Sequence, residues 1–252
     1  MNLISNFEIL INRIARQAPN ATGAVARRIV QGHFLTICNT ELHRSVYFKI
    51  KYTYGNFITN ATGIDTDREL RIATSAAPPS GGNAILVYDG GSFNNDILLA
   101  NSTTLSTGVN IPGGNYDCVT TKNLRLRAGE TGLLALLPIF QLPATGPIPA
   151  KNSLADATPS IEVRGFISIE QVAESTYTNS QGRIITETNP HVNTEAKVII
   201  TSEHRGTFLD DDFNGTTQEL LLGSVRVGFD FDQLAYALPL AEGKSLYTLA
   251  GA

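Results

Sequence analysis

The stretch Val46–Tyr54, VYFKIKYTY, constrains the fold of this chain more than any other segment. Its even-numbered residues are all aliphatic or aromatic, and its odd-numbered residues include two lysines and a threonine. A period of two places the two sets of side chains on opposite faces of a β-strand. We therefore predict a half-buried strand, with the even-numbered face in the core and the other face in water.

The same period recurs from Val25 to Phe231, with turn residues between the runs. The polar composition agrees, because the 26 threonines favour strands and the 19 asparagines favour turns. Together these features predict an all-β fold, a β-sandwich with a jelly-roll-like arrangement. The clearest further runs are NAILVYDGG, TGLLALLPIF, IEVRGFISIEQV, AKVIITSEHRGTFL and ELLLGSVRVGFDFDQL.

Two local patterns refine this prediction. The run STYTNSQGRIITET predicts a hairpin that turns at Ser180-Gln181-Gly182. Gly32, Gly165 and Gly206 each precede a phenylalanine and an aliphatic residue within predicted strands. Glycine inside a strand often marks a bulge or a close approach of two backbones. The recurrence indicates either equivalent positions in the sheet or chance.

The N-terminus departs from the period of two. Leu3, Phe7, Leu10, Ile11 and Ile14 follow the spacing of one helical face, and Pro19 ends the pattern. This predicts a short amphipathic helix over residues 3–17.

The predicted domain organisation is a helical arm at residues 1–20 followed by the β-sandwich at 21–252. Four prolines fall between residues 141 and 160. This segment is the candidate for an internal boundary or for a crossover between two sheets. The N-terminus lacks the basic region of a signal peptide, and no apolar run reaches the length of a membrane span. We expect synthesis without a cleaved signal and leave the compartment open, with an assembled particle or a surface fibre as candidates.

Charge and cysteine content exclude several classes of function. The net charge is −4 and no basic run extends beyond Arg27-Arg28, which disfavours nucleic-acid binding. Cys38 and Cys118 are too few for a disulfide scaffold and lack metal-binding spacing. Buried thiols are one interpretation of this pair, and a single long-range disulfide is the other.

The run LDDDFNG contains the candidate metal ligands. Asp210, Asp212 and Asn214 occupy the first three ligand positions of a D-x-D-x-N-G calcium loop, which Gly215 would allow to turn sharply. The match resembles only a six-residue fragment of the EF-hand loop, because Leu221 stands where a bidentate glutamate is needed. The alternative is a hairpin turn at Asn214-Gly215 without metal. No other cofactor is expected.

Two further groups contain residue types that are found in catalytic sites. Ser202-Glu203-His204 contains the residue types of a triad, but adjacent strand residues point to opposite faces, so we interpret His204 as a surface histidine. Asp230 and Asp232 share a strand face with Arg226, a pattern compatible with glycoside hydrolysis or with an exposed ion pair.

Apolar residues continue almost to both ends of the chain, which is typical of segments that bind a neighbouring subunit or close their own core. From these features we predict a non-enzymatic structural subunit of a homomeric assembly, a filament, tube, shell or phage-like particle joined by strand edges and terminal arms. The alternative is a lectin-like module that binds a glycan or another surface ligand, assisted by calcium. A glycoside-acting enzyme is the third hypothesis.

Overall fold

The computed structural model describes residues 1–13, 27–55, 84–90, 93–96, 109–111, 114–138, 140–141, 161–178, 183–210, 225–226 and 234–251. These residues form strands joined by turns, with one 3-10 turn at Ala241–Gly243 and no α-helix. The strands are β1 (Asn2–Arg13), β2 (Arg27–Asn39), β3 (Val46–Gly55), β4 (Ala84–Gly90), β5 (Phe93–Asp96), β6 (Val109–Ile111), β7 (Gly114–Thr120), β8 (Leu124–Leu126), β9 (Thr131–Pro138), β10 (Phe140–Gln141), β11 (Ile161–Gln171), β12 (Glu174–Thr178), β13 (Ile184–Thr188), β14 (Ala196–Asp210), β15 (Val225–Arg226), β16 (Leu234–Ala237) and β17 (Leu246–Leu249).

Thirteen of the strands form one antiparallel sheet, and nine of them follow the order β5-β4-β9-β2-β1-β11-β3-β7-β6. Strand β14 adds to β2 and carries β16 and β17 on its other side, and β8 pairs with β3. The pairs β10–β15 and β12–β13 form two separate two-stranded sheets. The all-β prediction is therefore confirmed, as is the β12–β13 hairpin, whose turn residues 179–182 lie outside the described residues.

The sheet divides where β1 leaves β2. The two strands pair only from Leu10 with Gln31 to Arg13 with Arg28. Beyond Gln31, β2 takes β9 as its partner, while β1 pairs with β11 as far as Asn2. We call β5, β4, β9, β2, β14, β16 and β17 the β14 limb, and β1, β11, β3, β8, β7 and β6 the β11 limb.

The inner faces of the two limbs meet. The Ser5 and Ser202 hydroxyl oxygens lie 2.9 Å apart, and the Tyr247 hydroxyl donates to the Ile4 carbonyl over 3.2 Å. The core between the limbs contains aliphatic and aromatic side chains from both. In β3 the even-numbered residues are buried as the alternation predicts, but Tyr47 and Thr53 on the opposite face are buried as well. That face is therefore only partly in water.

The predicted N-terminal helix is wrong, because residues 2–13 form β1 in the middle of the sheet. Ile4, Phe7 and Ile9 are buried, whereas Leu3, which the helical pattern placed on the apolar face, is exposed. Apolar residues lie on both faces of β1, since Phe7 is buried and Leu3 is exposed, and their combined spacing resembles one helical face. Isoleucine is β-branched and favours strands, a preference that the spacing argument underweighted.

The described ends of the chain pack into its own core. Phe7 and Ile9 of β1 and Tyr247 and Leu249 of β17 are all buried. The candidate boundary at 141–160 lies outside the described residues except for Gln141, so the division into domains stays a prediction. Among the residues that the structure describes, no helix has the length and apolar character that crossing a membrane requires.

Gly165 shows the close approach expected of a strand glycine. A Cβ atom at this position would clash with the Thr53 carbonyl oxygen of β3 and would lie 2.8 Å from the Phe7 ring of β1. Phe7 is the register partner of Gly165 and covers it from the core side. Glycine at this position therefore allows β1, β11 and β3 to pack closely.

Candidate functional site

The structure describes only part of the predicted calcium loop. Asp210 is the last residue of β14 and stands opposite Arg27 in the register with β2. Asp212 and Asn214 lie outside the described residues, so the calcium site stays a prediction. Within the described ranges, no group of three or more histidine, cysteine, aspartate or glutamate residues is arranged to hold a metal ion.

The carboxylates considered for glycoside chemistry, Asp230 and Asp232, also lie outside the described residues. Arg226 belongs to β15, which pairs with β10 rather than with the large sheet. Neither cysteine is part of a disulfide; Cys118 is buried and Cys38 is half-buried. The long-range disulfide is therefore absent, and the buried-thiol interpretation is confirmed for Cys118.

The interpretation of His204 as a surface histidine is wrong. His204 is only 4% exposed and Ser202 only 2%, because both follow Val198 and Ile200 on the inner face of β14. Glu203 points to the outer face, as the alternation requires, and pairs there with Arg205 at 2.5 Å. A histidine inside an apolar alternation continues the core face, and this is the signal that the sequence analysis missed.

His204 lies at the point where β1 and β2 separate. The Glu8 main-chain N–H donates to Nε2 of His204 over 2.9 Å. Glu8 pairs with Arg164 of β11 on one side, while pairing of β1 with β2 begins only at Leu10. The imidazole therefore takes the place of a missing strand partner for this N–H group.

This hydrogen bond determines which nitrogen of the neutral His204 ring carries the proton. A main-chain N–H can only donate, so Nε2 accepts and the ring proton of the neutral imidazole is on Nδ1. Nδ1 lies 3.1 Å from the Tyr236 hydroxyl, which donates in turn to Oε1 of Gln31 over 3.0 Å. Nε2 of Gln31 donates to Oε2 of Glu8 over 2.9 Å, which closes a ring of four hydrogen bonds.

A second chain of polar contacts continues inward from this ring. Nε2 of His33 lies 2.8 Å from the Ser202 hydroxyl, which contacts the Ser5 hydroxyl at 2.9 Å. His33 and His204 are register partners on β2 and β14, with ring centroids 5.8 Å apart. We call the whole group the polar seam: Ser5 and Glu8 of β1, Gln31 and His33 of β2, Ser202 and His204 of β14, and Tyr236 of β16.

Both histidines of the polar seam are held neutral by burial. Desolvation, followed by the charge of His204, lowers the pKa of His33 to about 3. Desolvation also lowers the pKa of His204, and the nearby Glu8 carboxylate opposes this shift. Within the described part of the chain, Nδ1 of His33 is buried without a hydrogen-bond partner.

The Ser202–His33 contact has the atoms of a catalytic pair, but its surroundings do not support catalysis. Both side chains are buried, so Ser202 cannot reach a substrate. The described residues place no carboxylate on Nδ1 of His33, where a triad needs one to orient the ring. The polar seam therefore joins the two limbs and provides no reaction centre in the described structure.

The outer face of the β14 limb carries a second feature. Four register partners form a row across β17, β14, β2 and β9, and none of the four is charged. Two of them are large apolar residues in water, since Ile199 is 40% exposed and Leu246 is 47% exposed. We call this set the outer apolar row: Leu246, Ile199, Cys38 and Thr131.

An open depression of about 530 Å³ lies at one end of the molecule, between β1, β3, β11 and the segment after β17. Its lining includes Lys49 and Glu170, which form an ion pair at 2.6 Å, together with Asn2, Asn123 and Glu174. None of the described residues that line it is aromatic.

Comparison of this chain with protein-family models, with curated proteins and with solved structures finds no match.

Proposed function

We propose that this chain is a non-enzymatic structural subunit, a jelly-roll-like β-sandwich that assembles with copies of itself. The outer apolar row is the observation that carries the proposal. A sheet face in water usually presents polar or charged side chains, whereas this row presents an exposed isoleucine and leucine side by side. Contiguous exposed apolar surface is typical of sites where proteins bind one another.

The neighbouring row on the same face supports this proposal. Thr201 of β14, Thr36 of β2 and Leu133 of β9 are uncharged register partners next to the outer apolar row, and Asp89 of β4 ends this neighbouring row. Depletion of charge at the centre of a surface is a compositional mark of protein interfaces. Charged residues flank these rows, with Lys197 of β14 on one side and the ion pair of Glu203 and Arg205 on the other, and polar side chains there would form the rim.

In this proposal the terminal arms do not join neighbouring subunits, although the sequence predicted that they would. The burial of β1 and β17 in the chain's own core favours the alternative that the described ends close their own sandwich. Contacts between copies then rest on sheet surfaces and strand edges.

The test is the mass of the particle in solution. Multi-angle light scattering after size-exclusion chromatography should give a multiple of the 27.1 kDa chain mass, and electron microscopy should show regular particles. The double variant Ile199→Glu/Leu246→Glu should reduce the mass while the far-UV circular dichroism stays that of β structure. The matched control is Leu42→Glu, since Leu42 is 77% exposed but lies outside the row. A wild-type chain that remains a 27.1 kDa monomer at high concentration would refute the proposal.

The open depression favours a second candidate, a lectin-like module. Its charged and amide side chains can donate to and accept from the hydroxyl groups of a sugar. The absence of an aromatic stacking surface among its described lining residues makes it the weaker candidate. A glycan array tests this candidate. Binding by the wild-type protein, abolished in Lys49→Ala and Asn123→Ala, would support it.

Calcium assistance belongs to this second candidate. If calcium binds the folded loop alone, saturation at 100 times the Kd would stabilise the fold by about 2.7 kcal/mol. Melting curves with calcium, with magnesium and with chelator should then differ, and Asp210→Ala should remove the difference. Identical curves would favour the hairpin without metal.

A further inference from the structure

We propose that the polar seam is an acid-sensitive latch, which holds β1 against β14 at neutral pH and releases it when the two buried histidines take up protons.

The latch rests on how β1 is held. From Asn2 to Ile9, β1 pairs with β11, but toward the β14 limb the described structure gives it side-chain contacts in place of a ladder. The contacts through the polar seam are Glu8 N–H to His204, Gln31 to the Glu8 carboxylate, and Ser5 to Ser202. The others are Asn2 to the Thr248 carbonyl, Tyr247 to the Ile4 carbonyl, and the edge contact of the Phe7 and His33 rings.

Protonation of His204 reverses the polarity of one of these contacts. A proton on Nε2 would face the Glu8 N–H across 2.9 Å, so that two donors oppose each other. The main-chain group cannot become an acceptor, so no rotation of hydrogens repairs the contact. The imidazolium must turn away or separate from β1, and either movement breaks the ring of four hydrogen bonds.

Protonation of His33 introduces a charge into the core. The groups packed around it are the Ser202 hydroxyl, the Phe7 and Tyr52 rings, and His204. The only titratable groups among them are Tyr52, whose pKa is raised by burial, and His204, whose imidazolium would repel a second positive charge. Separation of β1 from β14 would admit water to His33 and relieve the cost of its charge.

The charged groups that face His204 set the direction of the response. Glu8 of β1 attracts an imidazolium, but its carboxylate is already bound by Gln31 of β2 and by Arg164 of β11. Tyr236 of β16 is neutral, because burial and Glu8 raise its pKa. Glu203 and Arg205 of β14 face the opposite side of the sheet and pair with each other.

Burial lowers the pKa of both histidines, to about 3 for His33, while an opened seam restores the ordinary value near 6.5. The opened form therefore binds more protons below pH 6.5, and acid favours opening. At pH 7.5 the histidines are mostly neutral in both forms, and the latch stays closed.

Hydrogen–deuterium exchange read by mass spectrometry tests this proposal. Wild-type protein is labelled at pH 7.5 and pH 5.0, and the rates are corrected for the intrinsic effect of pH on exchange. Peptides from β1 and from residues 202–206 of β14 should exchange at least tenfold faster at pH 5.0, while peptides from β3 keep their protection. Equal protection of β1 at both pH values would overturn the proposal, and so would a parallel loss in β1 and β3.

A matched pair of variants assigns the effect to the seam. His33→Gln/His204→Gln keeps hydrogen-bonding groups but cannot take up a proton in this range, and it should remove the pH dependence of β1. His43→Gln/His191→Gln changes two exposed histidines and should preserve it. If the first pair does not fold, the single variant His204→Gln, whose amide oxygen can accept from Glu8, should reduce the tenfold change. A response that survives either seam variant, or that the control pair removes, would refute the proposal.

Discussion

The core between the two limbs has two regions that use different chemistry. On the face of β3 that points into this core, the buried side chains are all aliphatic or aromatic: Val46, Phe48, Ile50, Tyr52 and Tyr54. At the separation of β1 from β2 the limbs meet instead through serines, histidines and a glutamine. The apolar region is stabilised by burial wherever it packs well, whereas the polar seam is stable only while each group keeps its partner and its charge state.

The largest loss in the free energy of unfolding should come from a substitution in the apolar region. Phe48→Ala removes a fully buried ring, and we expect a loss of about 3–5 kcal/mol in the free energy of unfolding. Urea denaturation at pH 7.5 measures it, with Lys49→Ala on the opposite face as the control. The control breaks only a half-exposed ion pair and should cost less than about 1 kcal/mol. Similar losses for the two variants would mean that this region is not packed as described.

Ser202→Ala should cost less, about 1–3 kcal/mol, because it leaves His33 and Ser5 buried without their partner. Ser5→Ala/Ser202→Ala should cost less than the sum of the two single variants, since both changes break one contact. Denaturant titration of all three gives the coupling energy. Strict additivity would show that the two hydroxyls do not interact.

Acid should destabilise the polar seam more than the apolar region, and this effect should be smaller than the losses from the substitutions above. His33 is buried with its pKa lowered to about 3, so its contribution to stability is complete above pH 6.5 and is lost as the pH falls. Between pH 7.5 and 5.5 the free energy of unfolding should drop by about 1.4 kcal/mol on account of this residue. Denaturation of His33→Gln should show a smaller drop over the same interval. An equal drop in both proteins would mean that the acid sensitivity arises from residues other than His33.

The smallest effect should come from the outer end of the ring. Tyr236→Phe removes the hydroxyl between His204 and Gln31, but this residue is partly exposed and water can replace the lost group. We expect a loss of about 0.5–1 kcal/mol. A double-mutant cycle with Gln31→Ala should show coupling, and its absence would mean that the ring does not act as a unit.

The apolar region was predictable and the polar seam was not, for a physical reason. The alternation in β3 depends on local geometry alone, so the sequence predicts which face is buried. The partner of the Glu8 N–H depends on where β1 leaves β2, which is a property of the whole sheet. The alternation after Val198 and Ile200 places His204 on the core face, but its partners come from β1 and β16 and are known only from the folded chain.

The N-terminal strand illustrates the same limit at smaller scale. The apolar residues of β1 lie on both of its faces, and the spacing of Leu3, Phe7 and Leu10 therefore resembles a helix although only Phe7 among them is buried. Tertiary pairing with β11 overrides that pattern. In contrast, the β12–β13 hairpin needs only neighbouring residues, and its prediction was correct.

The tautomer of His204 tests the central claim most directly, because the polar seam requires a neutral imidazole whose Nε2 accepts from Glu8. Long-range proton–nitrogen NMR correlation of the histidine rings at pH 7.5 distinguishes the two neutral tautomers and the imidazolium. We predict the Nδ1–H tautomer for His204, with a Glu8 amide proton that exchanges slowly. An Nε2–H tautomer or a charged ring would contradict the hydrogen-bonded ring, and with it this account of how the two limbs are joined.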